Sequence, residues 1–479
     1  MAVVLGLSQL REVDVSPLDA ARLRSLIGEE RYDRLVTAAD RTRANLGAST
    51  VWNVNSTAVG GGVAEMLRVL VGYTLGLGLS ARWLVISAEA PFFAVTKRLH
   101  NRLHGAPGDD GSLGPAEASL YESVTAANSA AMAGQVRAGD VVLLHDPQTA
   151  GLVGPLKEAG VTVLWRCHIG ADATNRWTEE AWGFLRPHLA ECDGFVFTRA
   201  AYVPEWVPGE RVAIIPPSID PFSPKNEDLP ARGCRGILSA IGVIEGAHSA
   251  DALFTRRDGS RGAVTRRASV VAESTLDAQA RLVVQVSRWD RLKDMPGVMA
   301  GFSDFVTARS DAHLALVGPA VADVADDPEG GDVLRQCVDL WNALPLAQRR
   351  RIRLITLPMD DIDENAVMVN ALQRQASLVV QKSLAEGFGL TVAEAMWKAK
   401  AVVASAVGGI VDQVAPGTGV LLEDPTDLAA FGESLVRLLD RPEETVQMGD
   451  NARRHVVECF MGDEHLLRYS ELIERVHTN

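Results

Sequence analysis

The sequence predicts an α/β protein of two parallel-sheet domains, each assembled from strand, loop and helix repeats. Three observations carry this: a length of 479 residues, apolar runs that alternate with amphipathic stretches, and glycine turns at residues 60–62 and 387–389 that stand between a strand and a helix. One hydrophobic core seldom organises so long a chain, so two domains of roughly 200 residues each follow. Short apolar runs separated by helical stretches imply parallel strands joined by crossover helices, with ligands bound beyond the C-terminal strand ends.

Residues 1–47 read as helices, with Leu23, Leu26 and Ile27 at helical spacing. The first strong strand, Ser49–Asn55, runs into Ser56-Thr-Ala-Val-Gly-Gly-Gly62 and then the helical pattern Val63, Met66, Leu67, Leu70. Contiguous glycines at Gly60, Gly61 and Gly62 let backbone amides approach an anion closely. Their spacing is neither the dinucleotide GxGxxG nor a P-loop. Further strands follow at Arg82–Ser87, Asp140–His145, Val161–His168 and Gly194–Thr198. His145, Asp146 and His168 fall at the ends of these strands, where ligands would bind; their plain alternatives are a helix cap for Asp146 and hydrogen-bonded core positions for the histidines. After Val212–Ile215 the prolines of Pro216–Pro221 stiffen the chain and stop any helix, which puts the domain boundary between residues 216 and 217.

Residues 225–279 show little periodicity and read as an irregular, mobile surface insertion. The second domain then opens with the strand Leu282–Ser287. Arg288 and Lys293 follow it, at the end where a crevice is expected, and two fixed cations there suit a leaving diphosphate; a surface salt bridge is the alternative. Strands at His313–Val317 and Ile352–Thr356 continue the alternation, and Met359 ends the second at the level of a nucleotide base. Asp361-Ile-Asp363 begins a helix, where acidic residues are expected on dipole grounds, so no metal is assigned to it. Ala376–Val380 is a buried strand that leads through Glu386-Gly387-Phe388-Gly389 into a helix. This turn has no bulky cover over the N–H groups of Gly389, Leu390 and Thr391, a setting that suits a phosphate. Glu386 lies in the turn and Glu394 one turn into the helix.

Charge narrows the function classes. With 47 basic against 61 acidic residues the net charge is −14, which argues against nucleic acid or an anionic membrane as partner. Five scattered cysteines, odd in number and without metal-ligand spacing, favour a reducing compartment, so a cytoplasmic location is expected. The most apolar stretch, Val69–Ser80, is short of the ~20 residues that span a bilayer.

Whole phrases say more than these patterns. EGFGLTVAEAMW (386–397) resembles the sugar-nucleotide signature of retaining glycosyltransferases of the GT-B fold, with two facing Rossmann-like domains. NSTAVGGGVAEML, FFAVTKRLHNRLHG and WRCHIG, at residues 55–67, 92–105 and 165–170, are similar to trehalose synthases of the glycosyl-transferring kind. The resemblance implies two domains, 1–216 for the acceptor and 217–455 for the donor, with residues 456–479 crossing back to the first. It implies a nucleoside diphosphate glucose as donor (ADP-, UDP- or GDP-glucose), glucose as acceptor and no metal. Glu386 and His168 would lie by the donor sugar, Arg288 and Lys293 by the diphosphate, Glu394 by the ribose, and Gly60–Gly62 by the diphosphate and acceptor. Asn55, Ser56, Lys97, Asn101 and Asp146 would shape the acceptor pocket, although Lys97, Arg98 and Asn101 read equally as a solvated helix face. The resembled enzymes carry Asp where this chain has Gly170, which bears on the acceptor side. Still open are another acceptor (an aminocyclitol, or phosphate as in trehalose phosphorylases), a catalytically silent sugar-nucleotide sensor, the nucleotide base, and a homodimer as against a monomer.

Overall fold

The computed structural model describes residues 10–58, 62–245, 251–321 and 330–477. The chain divides into two compact units: the first runs to Ser218 and resumes at Phe460, and the second is Ile219–Cys459.

In the first unit β1 (Arg11–Glu12), α1 (Arg24–Ile27) and α2 (Glu29–Leu46) precede β2 (Val51–Asn55), α3 (Gly62–Gly76), β3 (Ala81–Val85), α4 (Ala90–Leu103) and α5 (Pro115–Met132). Then come β4 (Val141–His145), α6 (Val153–Glu158), β5 (Thr162–Cys167), α7 (Arg176–Leu185), β6 (Gly194–Phe197) and β7 (Val212–Ile214). They form one sheet, ordered β1-β3-β2-β4-β5-β6-β7, parallel except for β1 on β3. Trp52, Val54, Val142, Leu144, Val163 and Trp165 bury into the cluster on one face, and Val51, Val141, Leu143 and Leu164 into the cluster on the other. Successive side chains on a strand point to opposite faces, so strands covered on both sides read as unbroken apolar runs. The helical reading of residues 1–47 holds over α1 and α2 but not at Arg11–Glu12, which pairs with Val85 and Leu84. Two residues are too few to show a period.

The second unit contains α8 (Ala231–Ala240), β8 (Leu253–Thr255), β9 (Arg261–Ala263), β10 (Ser269–Val271), β11 (Leu282–Val286), α9 (Met295–Phe305), β12 (His313–Pro319), α10 (Gly330–Ala343), α11 (Leu346–Arg349) and β13 (Ile352–Leu357). It continues with α12 (Ile362–Gln375), β14 (Leu378–Gln381), α13 (Leu390–Trp397), β15 (Val402–Ser405), α14 (Ile410–Gln413), β16 (Gly419–Leu422), α15 (Leu428–Leu439) and α16 (Pro442–Cys459). Its sheet runs β10-β13-β12-β11-β14-β15-β16, with only β10 antiparallel.

The described part of 225–279 corrects the expectation of an irregular insertion. It supplies α8, the β8–β9 hairpin and the edge strand β10. Three of its arginines are paired across the fold: Arg256 with Asp361 at 2.8 Å, Arg257 with Asp363 at 2.7 Å, and Arg266 with Glu364. Strands of three residues show no alternation to read, and the acidic partners lie about a hundred positions away in the chain. Asp361 caps α12, accepting from the N–H groups of Asp363 and Glu364 at 3.1 Å each.

The last helix, α17 (Gly462–His477), belongs to the first unit and packs on α2, where Arg31 pairs with the buried Asp463 at 2.7 Å. Buried Arg166 of β5 donates to Tyr469 Oη at 2.5 Å and lies 2.8 Å from His465 Nε2, both on α17.

Strand order locates the sites. The order reverses between β2 and β4 in the first sheet and between β11 and β14 in the second. Loops leaving such a pair at the C-terminal end diverge and open a crevice.

Candidate functional site

In the second unit the loops after β11 and β14 meet. Lys293 Nζ lies 2.6 Å from Glu386 Oε2, an oxygen that also accepts from Ser383 Oγ at 3.3 Å. The Lys293 loop is held from beneath: Gln285 Nε2 donates to the Lys293 carbonyl and the Leu384 N–H to the Leu292 carbonyl, each at 2.7 Å. Asp290 accepts from the Leu292 N–H at 2.7 Å and lies 3.2 Å from Nη2 of the exposed Arg288. Fully buried Lys382 reaches Asp294 and, at 2.6 Å, the Pro425 carbonyl. Removing one partner of a buried ion pair typically costs about 3–5 kcal/mol, so Lys382 is a firm anchor for this loop. Gln285, Asp290 and Lys382 hold the candidate site's loop and were missed by sequence reasoning; the visible signal was a polar or charged residue in or beside an apolar strand.

The turn before α13 is similarly fixed. Gly389 adopts φ 85°, where a side chain would be strained and its Cβ would come 3.1 Å from Ile410 Cγ1. The Gly409 N–H donates to the Gly387 carbonyl at 3.1 Å, and Gln413 Nε2 donates to the Phe388 carbonyl. Among the described residues no side chain caps α13, whose positive end lies at Gly389, Leu390 and Thr391, while the Thr391 hydroxyl donates to Gln381 at 3.0 Å. Met359 follows β13 half-buried. Glu394 is buried; its Oε1 lies 3.1 Å from Lys225 Nζ and its Oε2 has no hydrogen-bond partner among the described residues.

In the first unit the corresponding loops follow β2, β4 and β5. Gly60 and Gly61 lie outside the described residues; Gly62 opens α3 and is exposed. The amide of Asn55 is used internally, accepting from Trp83 Nε1 at 2.8 Å and donating to the Thr57 carbonyl at 2.7 Å, so it shapes the loop that carries half-buried Ser56. His168 Nε2 lies 3.0 Å from His145 Nδ1, and His145 Nε2 lies 3.1 Å from Asn53 Oδ1. The amide oxygen accepts only, so His145 carries its proton on Nε2 and His168 donates from Nε2. Burial and the Arg166 guanidinium push His145 down to about 3 and His168 well below the usual histidine range, so both are neutral at pH 7. Asp146, at φ 65°, accepts from the His168 N–H at 2.8 Å; burial raises its carboxyl to about 7 against the pull of that bond and of Arg166.

Lys97 is exposed on α4 and Asn101 is half-buried one turn on. Arg98 corrects the solvated-face reading: it is buried and binds Asp109 at 2.5 Å and the Ser112 carbonyl, and its guanidinium holds Asp109 down to about 2. Gly170 is required by a neighbour, since a Cβ there would sit 2.2 Å from Tyr202 Cγ. Among the described residues no group of three or more His, Cys, Asp or Glu could hold a metal ion, and no helix is long and apolar enough to cross a membrane.

Residues 53–204 match the family model for the trehalose synthase N-terminal domain, and residues 269–455 that for glycosyl transferases group 1. A sucrose-phosphate synthase structure from Thermosynechococcus elongatus superposes with a TM-score of 0.62 at 18% identity, over 90% of this chain and 99% of that one. The two parallel sheets, each with one order reversal, are thus those of a GT-B glycosyltransferase. A trehalose synthase from Rubrobacter xylanophilus is 34% identical over 94% of this chain and 95% of its own length. One from Pyrococcus horikoshii is 33% identical over 94% of each. The chain belongs to the trehalose synthase family.

Proposed function

We propose that this glycosyltransferase transfers glucose, with retention, from a nucleoside diphosphate glucose to free glucose and forms trehalose. The observation that carries the donor side is the Lys293–Glu386 pair, a cation and an anion 2.6 Å apart at the reversal point of the second sheet. When the bond from C1 to the phosphate oxygen stretches, positive charge grows on the sugar and negative charge on the leaving oxygen. An anion beside the sugar and a cation beside the phosphate match that separation better than they match the uncharged ground-state bond. In this reading Glu386 faces the sugar, Lys293 and Arg288 the diphosphate together with the Gly387–Thr391 turn, Glu394 the ribose, and Met359 the base. Glucose as acceptor is supported by the relatives named trehalose synthase. Asn55, Ser56, Lys97, Asn101 and Asp146 are assigned to the acceptor, Gly60–Gly62 to the diphosphate and acceptor, and His168 to the donor sugar; a cytoplasmic location goes with this reading.

The experiment is to incubate the protein with ADP-, UDP- and GDP-glucose and a panel of acceptors that includes glucose, an aminocyclitol and phosphate. Products are identified by mass and by anomeric configuration. An α,α-linked disaccharide with release of one nucleoside diphosphate is expected. A β-linkage at the transferred glucose, or transfer only to phosphate, would overturn the proposal.

A further inference from the structure

Glu394 reaches its position with one carboxylate oxygen engaged and one not. Oε1 lies 3.1 Å from Lys225 Nζ, whereas Oε2 is buried and has no hydrogen-bond partner among the described residues. A carboxylate held this way presents a single acceptor oxygen in a fixed direction, and a buried unpartnered acceptor is costly unless a ligand hydroxyl completes it.

Lys225 is itself held in place. The Pro224 and Glu227 carbonyls accept from Asn370 Nδ2 at 3.0 and 2.9 Å, and the Asn226 carbonyl accepts from Trp397 Nε1 at 2.9 Å and Arg374 Nη2 at 3.1 Å. Residues 224–227 are therefore clamped to α12 and α13, and Lys225 stands on that clamped segment. The other cation near Glu394 is Lys398, whose Nζ donates to Asn226 Oδ1 at 2.8 Å and to the Glu394 carbonyl at 3.1 Å, not to its carboxylate. Burial, opposed by Glu394 and reinforced by Arg374 and Lys225, lowers Lys398 below the usual lysine range. Lys225 is the cation in direct contact with the carboxylate.

We propose that Lys225 is a positioning residue of the donor site, which holds Glu394 turned so that Oε2 accepts a ribose hydroxyl of the nucleoside diphosphate. The proposal rests on the assignment of Glu394 to the ribose given above. Lys225 then sets how strongly the site prefers a nucleotide with an intact ribose, and has no contact with the reacting bond.

The test is calorimetric binding of nucleoside diphosphates and their 2′,3′-dideoxy counterparts, in the adenine, uracil and guanine series, to the full chain and to Lys225→Met, Lys225→Arg and Glu394→Gln. Losing a hydrogen bond to a charged group corresponds to a preference of about tenfold or more for the ribose form in the unaltered protein. In Lys225→Met, which keeps the alkyl stem, that preference should fall to within about twofold of unity, and Lys225→Arg should restore most of it. General loosening of the site would weaken both nucleotides alike and leave their ratio unchanged, so an unchanged ratio in Lys225→Met overturns the proposal. If Glu394→Gln abolishes the preference while Lys225→Met retains it, only the role of Lys225 fails. If Glu394→Gln retains it, or the unaltered protein binds none of the three series, the underlying donor assignment fails too.

Discussion

Replacing Lys293 by alanine removes the ammonium 2.6 Å from Glu386 without disturbing the bonds that fix its backbone, since Gln285 binds the Lys293 carbonyl rather than its side chain. Its stability cost lies between two limits. Exposed ion pairs contribute about 0–1 kcal/mol and breaking a fully buried one costs about 3–5 kcal/mol. With the two side chains 16% and 12% exposed, and with Ser383 still donating to Glu386, about 1–2 kcal/mol is expected. In a unit of this size that lowers Tm by roughly 2–8 °C. The catalytic cost is larger if the ammonium neutralises the leaving phosphate: losing one such preorganised donor takes roughly two to three orders of magnitude from kcat, or about 2.7–4 kcal/mol. The assay pairs steady-state rates for each nucleotide donor at 25 °C with a calorimetric melt, which shows that the variant is folded at the assay temperature. If Lys293→Ala keeps more than about half its activity with every donor, Lys293 is an ordinary partner of Glu386 and the diphosphate binds elsewhere.

Acid should destabilise the first unit through its buried histidines. His145, His168 and His465 are all held below the ordinary histidine range, so the unfolded chain binds more protons and stability falls as pH drops from about 6.5 toward 3. Asp146, raised to about 7, has the opposite sign, since its contribution is lost as pH rises from about 3.8 through 7. His188 adds to the histidine side and Asp463, also raised by burial, to the carboxyl side, so the lowered imidazoles outnumber the raised carboxyls. Urea unfolding should therefore show lower stability at pH 5 than at pH 7.5, and a flat profile would contradict the buried neutral histidines. Gly170→Asp should cost roughly 1–3 kcal/mol by driving a Cβ into the Tyr202 ring, and combining it with Tyr202→Ala should recover about 1 kcal/mol or more beyond additivity; strictly additive losses would show that the ring does not exclude the side chain.

What the sequence by itself determined are the features carried by contiguous residues. The parallel strands were legible because burial on both faces makes each an unbroken apolar run, as in Val141-Val-Leu-Leu144 and Leu282-Val-Val284. The turn from Glu386 to Gly389 was legible because a strand, two glycines and an uncapped helix lie in a single stretch. The fold of the described part of 225–279 was not legible, because its strands are three residues long and Arg256, Arg257 and Arg266 are balanced by carboxylates at the start of α12. Nor was the difference between Lys97, exposed, and Arg98 beside it, buried on Asp109, which depends on where residues 105–112 fold back. The supports of the candidate site belong to the same class: Lys382 beneath Asp294, Lys225 against Glu394, and Asn53 joined through His145 to His168. Each joins residues distant in the chain through a contact of a few ångströms, and only the folded chain decides which distant polar groups share a low-dielectric space and must satisfy one another.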